Sequence, residues 1–171
     1  MLRKIAIGVI LFSLIFIVVA CTGPTSTPTP NPTPNPKPPG AIKATWIEPQ
    51  LDGDTVSIPV SELENNWNVH FNLKTRRDDM NFMAYVLDGE IHVRANVCPP
   101  CRSVGFALQR DILVCDTCRT TFEAKTGGGI KGACVDFPKA SVPYEVSDGN
   151  VVMKGTDLIA AYQDTTEPGL P

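Results

Sequence analysis

A chain of 171 residues with 15 lysines and arginines against 18 aspartates and glutamates carries a formal charge of −3, which argues against a nucleic-acid partner. The composition also holds no Ser-His-Asp set, paired catalytic carboxylates, phosphate-binding glycine loop or haem-attachment Cys-x-x-Cys-His, which argues against a hydrolase, an ATPase and a c-type cytochrome. Six cysteines and sixteen prolines, both unevenly placed, remain to be explained.

At the start, Arg3 and Lys4 precede an unbroken small and apolar stretch from Ile5 to Ala20 that ends at Val18-Val19-Ala20-Cys21. Residues 1–20 are expected to be a lipoprotein signal peptide, after which Cys21 is lipidated and becomes the new N-terminus. The alternative is an uncleaved anchor, since a helix of that length, at about 1.5 Å per residue, just crosses a thinned bilayer. Either way the rest of the chain is held to the cell membrane at its extracytoplasmic face, with membrane lipid as a partner through Cys21. Without residues 1–20 the chain keeps 13 basic against 18 acidic residues, a charge of −5.

Residues 21–40 form a linker. From Thr22 to Gly40 it holds eight of the sixteen prolines and no large apolar side chain, so it cannot bury a core and favours polyproline II, extended by about 3.1 Å per residue. A single domain is expected over residues 41–163, with a flexible tail over 164–171.

Within the domain the pattern is mostly of period two. Strands are predicted at Lys43 to Ile47, Thr55 to Ile58 and Trp67 to Leu73. Ser61-Glu62-Leu63-Glu64 has capping-box spacing. Phe82 to Leu87 and Glu90 to Ala95, joined by Asp88-Gly89, predict a hairpin with a two-residue turn. Its second strand runs into Cys98-Pro99-Pro100-Cys101. Ile112 to Val114 runs into Cys115-Asp116-Thr117-Cys118, and Thr120 to Glu123 follows. Val142 to Val146, Asp148-Gly149 and Val151 to Met153 predict another hairpin, and Asp157 to Tyr162 a short terminal turn of helix. The expected fold is mainly β: a small antiparallel barrel or sandwich with little helix, whose loops present two Cys-x2-Cys knuckles as a Rieske-like or zinc-ribbon-like metal site.

Two Cys-x2-Cys turns separated by thirteen residues can bring four thiolates into a roughly tetrahedral array, a site for zinc or for iron and sulfide. Cys98, Cys101, Cys115 and Cys118 are the candidate ligands. Cys134, after Gly127-Gly128-Gly129, is a further candidate: a fifth or substitute ligand, a cap on the centre, or a small buried hydrophobe. Two other uses of the thiols compete. One is a disulfide framework, normal in an exported protein, although five cysteines beyond Cys21 strand one thiol. The other is thiol–disulfide exchange through Cys98-Pro-Pro-Cys101. His70 and His92 read as surface strand residues, Arg76-Arg77-Asp78-Asp79 as a solvated loop, and Trp46, Trp67, Phe71, Phe82, Phe106 and Phe122 as core.

The order of strand, cysteine turn, strand and second turn is similar to a Rieske ferredoxin domain, in which Cys-x-His and Cys-x-x-His loops clasp a [2Fe-2S] cluster. By that analogy both histidine positions here are cysteine, which makes the cluster more negative and lowers its potential. Residues 42 to 162 together resemble the membrane iron-sulfur containing family typified by the FtrD-like component of bacterial ferrous-iron transport. Asn96-Val97-Cys98-Pro99-Pro100-Cys101 with Phe106, Val114-Cys115-Asp116-Thr117-Cys118-Arg119-Thr120-Thr121-Phe122, and Lys131-Gly132-Ala133-Cys134-Val135-Asp136-Phe137-Pro138 match its three cysteine motifs in order. The departures are Asn96 for an acidic residue, Arg119 for glycine, and Ala133, Val135 and Asp136 in the last motif.

The resemblance implies an iron-sulfur cluster or another metal–thiolate centre, with zinc as the alternative, in a domain linked to iron uptake or extracytoplasmic redox. The expected protein is an electron or metal carrier more than an enzyme, partnered by a membrane redox or iron-transport protein. The runner-up is a β domain stapled by zinc or disulfides that binds another protein. No twin-arginine signal for export of a folded holoprotein is present, which favours zinc, copper or iron loaded outside the cytoplasm.

Overall fold

The computed structural model describes residues 38–75 and 79–169. The expected signal peptide, Cys21, the linker as far as residue 37, and Arg76, Arg77 and Asp78 lie outside the described residues. Among those described, no helix is long and apolar enough to cross a membrane.

In chain order the elements are β1 (Ala41–Ile42), β2 (Thr45–Ile47), β3 (Gln50–Asp52), β4 (Thr55–Pro59), α1 (Val60–Asn66), β5 (Asn68–Lys74), β6 (Asp79–Leu87) and β7 (Glu90–Ala95). They continue with β8 (Phe106–Gln109), β9 (Ile112–Cys115), β10 (Thr121–Glu123), β11 (Gly129–Lys131), β12 (Glu145–Ser147), β13 (Asn150–Lys154) and α2 (Gly155–Thr166). Three sheets result: β1-β8-β9-β10-β11, which carries the cysteine loops, β2-β5-β6-β7, and β12-β13-β4-β3. The architecture is mainly antiparallel β, as expected; β2 and β5 run parallel.

The sheet β2-β5-β6-β7 is the centre of the molecule. Its β6–β7 hairpin turns at Asp88 and Gly89, with φ of 52° and 82°, the left-handed pair that a tight two-residue connection requires. Period two then sends alternate residues to opposite faces. On one face Phe71 stacks on Phe82, with ring centroids 5.6 Å apart, and Phe82 meets Tyr162 of α2 edge-on. The opposite face turns toward the cysteine-bearing sheet. There the Asn68 amide donates to the carbonyls of Ile42 and Phe106, at 3.2 and 3.0 Å, and the Tyr85 hydroxyl donates to the Ala124 carbonyl at 2.5 Å.

Several expectations change. The capping box does not form: Pro59 is the N-cap of α1 without a side-chain cap, Ser61 lies inside the helix, and the Val60 amide donates to the Gly149 carbonyl at 2.9 Å. The hairpin β12–β13 supplies that carbonyl, so tertiary contact replaces the local cap. Helix α2 is twelve residues long and passes the expected domain end at 163. Thr165 is buried, and its hydroxyl accepts the Ala140 amide at 2.8 Å. Trp46 is 51% exposed at the edge of its sheet, whereas His70, expected at the surface, is 1% exposed. Strands β1, β3, β8 and β11 were not foreseen.

The β8–β9 hairpin sets the long axis of the cysteine sheet. At its turn end, beside Arg110 and Asp111, Gln109 pairs with Ala41 of β1; at the other end Phe106 pairs with Cys115. Pro38, Pro39 and Gly40 border the same cleft as Leu87, Asp88, Arg110 and Asp111.

Candidate metal centre

Two knuckles of matching construction face each other. In the first, the Cys98 amide donates to the Ser103 carbonyl at 2.8 Å; in the second, the Cys115 amide donates to the Thr120 carbonyl at 2.9 Å. Each closes on an arginine in the left-handed region, Arg102 at φ 56° and Arg119 at φ 60°. Arg119 stands where the resembling family has glycine, and it adopts the conformation for which glycine is suited. A bond from the Asp116 amide to the Gly105 carbonyl, 3.0 Å, ties the second knuckle to the residue leading into β8.

The four knuckle thiols converge. The Sγ atoms of Cys98, Cys101, Cys115 and Cys118 all lie within 4.8 Å of one another, with Cys101 and Cys115 3.7 Å apart and Cys98 and Cys118 4.0 Å apart. Cys98 and Cys115 are buried, Cys101 and Cys118 partly exposed, and all five described cysteines are free thiols. Cys134 is 2% exposed, with its Sγ 3.7 Å from that of Cys118. The sequence-predicted thiols are therefore gathered in one place. His70 and His92 are not part of that group; His92 instead stacks on Tyr85 at 5.5 Å.

The electrostatics split the thiols into two kinds. Burial pushes the Cys98 and Cys115 thiols up from their ordinary range. Burial also acts to raise Cys118, but hydrogen bonds from the Thr120 hydroxyl and amide, and from Cys115 and Cys101, outweigh it and bring Cys118 down to about 6. The Thr120 hydroxyl, 3.1 Å from the Cys118 sulfur, also accepts the Cys134 amide at 3.2 Å. A partly exposed thiolate beside buried neutral thiols offers an entry point for a metal ion, whose binding then displaces the remaining protons.

The donor set fits a thiophilic group. An ion about 2.3 Å from four tetrahedral sulfurs spaces them about 3.8 Å apart, close to the spacings of 3.7 and 4.0 Å seen here. The same four thiols would hold an iron-sulfur cluster, which would supply a one-electron change.

Sequence reasoning missed two buried cations, Arg94 and Lys139. Arg94, on β7 and 4% exposed, donates through Nε to the Tyr85 hydroxyl at 2.9 Å and through its two Nη atoms to the carbonyls of Lys139 and Lys125, at 2.8 and 2.5 Å. Lys139 is fully buried; burial lowers its ammonium to about 8, with the cysteines Cys98 and Cys115 nearby acting in the opposite direction. Gly127 lets this arrangement close: at φ 82° a Cβ there would stand 2.1 Å from the Lys139 carbonyl oxygen. No local pattern marks Lys139, whereas the glycine run before Cys134 signals a bend.

Residues 63–164 match the profile of the family described as membrane iron-sulfur containing protein FtrD-like. The chain belongs to this family. An iron-sulfur cluster or other metal ion is the cofactor that this membership and the four gathered thiols indicate. The likenesses among solved structures are fainter. The complex of reduced oxygenase and oxidized ferredoxin in carbazole 1,9a-dioxygenase gives a chain of 17% identity and TM-score 0.42, over 50% of this chain and 80% of that one. Sphingomonas yanoikuyae B1 ferredoxin gives 21% identity and TM-score 0.41, over 48% of this chain and 81% of its own. No curated protein matches the sequence.

Proposed function

We propose that this FtrD-like chain is a membrane-tethered, extracytoplasmic carrier that holds an iron-sulfur cluster or a metal ion on Cys98, Cys101, Cys115 and Cys118 and passes electrons, or metal, to a membrane partner in iron transport. The observation that carries the reading is the convergence of those four sulfurs within 4.8 Å, on loops that leave Cys101 and Cys118 partly exposed. When bound, an iron-containing group would supply a reversible one-electron change near the surface, within reach of a partner. The chain's own part is to fix four thiolates on two strand-borne loops, to bury Cys98 and Cys115 against the sheet, and to keep Cys118 ready as a thiolate. Cys21, by its place after an apolar leader, would carry the lipid.

A second reading is favoured by the sulfur spacing, which suits one tetrahedral ion: zinc on the same four thiols would serve as a structural staple. Metal and sulfide analysis, visible absorption and EPR on the full-length chain, extracted in detergent and purified without oxygen, separate the two. Iron with a thiolate charge-transfer spectrum is the expected result. A colourless protein containing one zinc per chain and neither iron nor sulfide sinks electron transfer.

A further inference from the structure

We propose that Lys139 is the built-in counter-charge of the four-thiolate centre, a buried ammonium that makes this pocket hold an anionic metal–thiolate group more tightly. The proposal rests on the metal-centre reading above and adds to it a residue that none of the cysteine motifs contains.

Lys139 has no solvent exposure, yet its Nζ is not idle. It donates to the carbonyls of Val97 and Phe137, both at 2.7 Å, and it lies over two aromatic faces, 4.4 Å from the centre of Phe122 and 5.3 Å from that of Phe106. These four neighbours suit a cation, since carbonyl oxygens and ring faces are both negative. They also place it. Val97 immediately precedes Cys98, and Phe106 pairs with Cys115 across β8 and β9, so the ammonium stands behind the first cysteine of each knuckle.

None of those four neighbours carries a formal charge, and a buried ammonium is costly unless an anion faces it. The bond to the Val97 carbonyl and the contact with Phe106 set that ammonium beside Cys98 and Cys115, whose sulfurs become anionic on taking up a metal ion. Four thiolates around one divalent ion leave a net double negative charge, which the low dielectric of the interior makes expensive. One ammonium beneath them cancels half of it. The adjacent Arg94 holds the Lys139 main chain in place through its bond to the Lys139 carbonyl, which keeps the cation from swinging out to water.

The test compares the full-length parent with Lys139→Met and Lys139→Gln, each prepared metal-free and titrated with zinc against a chromophoric chelator, with thermal melts taken before and after loading. Partners behind the ligands of a metal site commonly govern about 10–100-fold in affinity, and a loss in that range is expected for both variants, with a smaller zinc-induced rise in melting temperature. In the iron-loaded forms, titrated at an electrode, the variants should also have lower midpoint potentials, by about 59 mV for each tenfold change in a one-electron couple. Glutamine keeps a hydrogen-bond donor without the charge, so it covers the case in which methionine fails to fold. Variants that melt lower with and without zinc by the same amount, while binding zinc as the parent does, overturn the proposal and leave Lys139 a structural residue. A parent that binds neither zinc nor iron overturns the metal-centre reading itself, and the proposal with it.

Discussion

The Cys134 sulfur stands 3.7 Å from that of Cys118, held there by its own amide, which donates to the Thr120 hydroxyl. Cys134 is thus a buried neighbour of Cys118 and lies outside the set of four gathered sulfurs. Cys115→Ser is expected to abolish the bound centre. Cys134→Ser is expected to keep the parent's metal content while losing about 1–2 kcal/mol of stability, since a hydroxyl replaces a thiol with few polar partners. Metal analysis together with urea unfolding checks both. Loss of metal from the Cys134 variant would make that residue a ligand.

Arg119 offers a stabilising change. Its φ of 60° costs an L-residue about 1–2 kcal/mol, and glycine, despite its greater entropy in the unfolded chain, recovers part of this. Arg119→Gly should therefore raise stability by about 0.5–1 kcal/mol without altering the metal content. The urea midpoint is the measurement; a lower midpoint would show that the arginine side chain contributes more than its backbone costs.

Arg94 joins Tyr85, Lys125 and Lys139 through one planar fork, and its charge pulls against the burial that raises the Tyr85 phenol to about 12. Lysine supplies a charge but not the fork. Arg94→Lys should cost about 3 kcal/mol, because buried acceptors lose their donors, and chemical denaturation would measure it.

His70 makes the stability pH-dependent. Burial lowers its pKa from 6.5 to about 3, and both ring nitrogens are buried without a hydrogen-bond partner. As pH falls below about 6.5, the unfolded chain takes up a proton at this site that the folded protein refuses. Folding is therefore favoured above that pH and loses up to about 1.4 kcal/mol per unit as pH drops toward 3. His70→Gln should flatten the slope of stability against pH between about 4 and 6.5 in the metal-free protein. An unchanged slope would place the dependence elsewhere.

The hairpins joined by Asp88-Gly89 and Asp148-Gly149 were legible because each turn puts both residues at positive φ, which aspartate and glycine tolerate. The β8–β9 hairpin hid its turn: Arg110 takes φ 58°, a conformation that no arginine advertises. The gathering of the four knuckle thiols was legible from spacing, since Cys-x2-Cys fixes two sulfurs on one local loop. Arg94 and Lys139 were not. Period two on β7 assigns Arg94 to a face but does not say that the face is covered, and Lys139 owes its burial to contacts with Val97, Phe106 and Phe122, none of them near it in sequence. Trp46 and His70 exchanged expected environments for a similar reason: only the pairing order shows that β2 is an edge strand while β5 lies inside its sheet.

The entry of the chain at Ala41, paired with Gln109, gives the molecule two poles. The turns of β6–β7 and β8–β9 crowd around Pro38 to Gly40 at one pole, and the cysteine loops form the other, about 10 Å away along β8 at 3.4 Å per residue. Anything that pulls or confines the chain ahead of Pro38 therefore takes hold of the domain by the end remote from its thiols. A contact made at the first pole thus leaves the cysteine loops at the second uncovered.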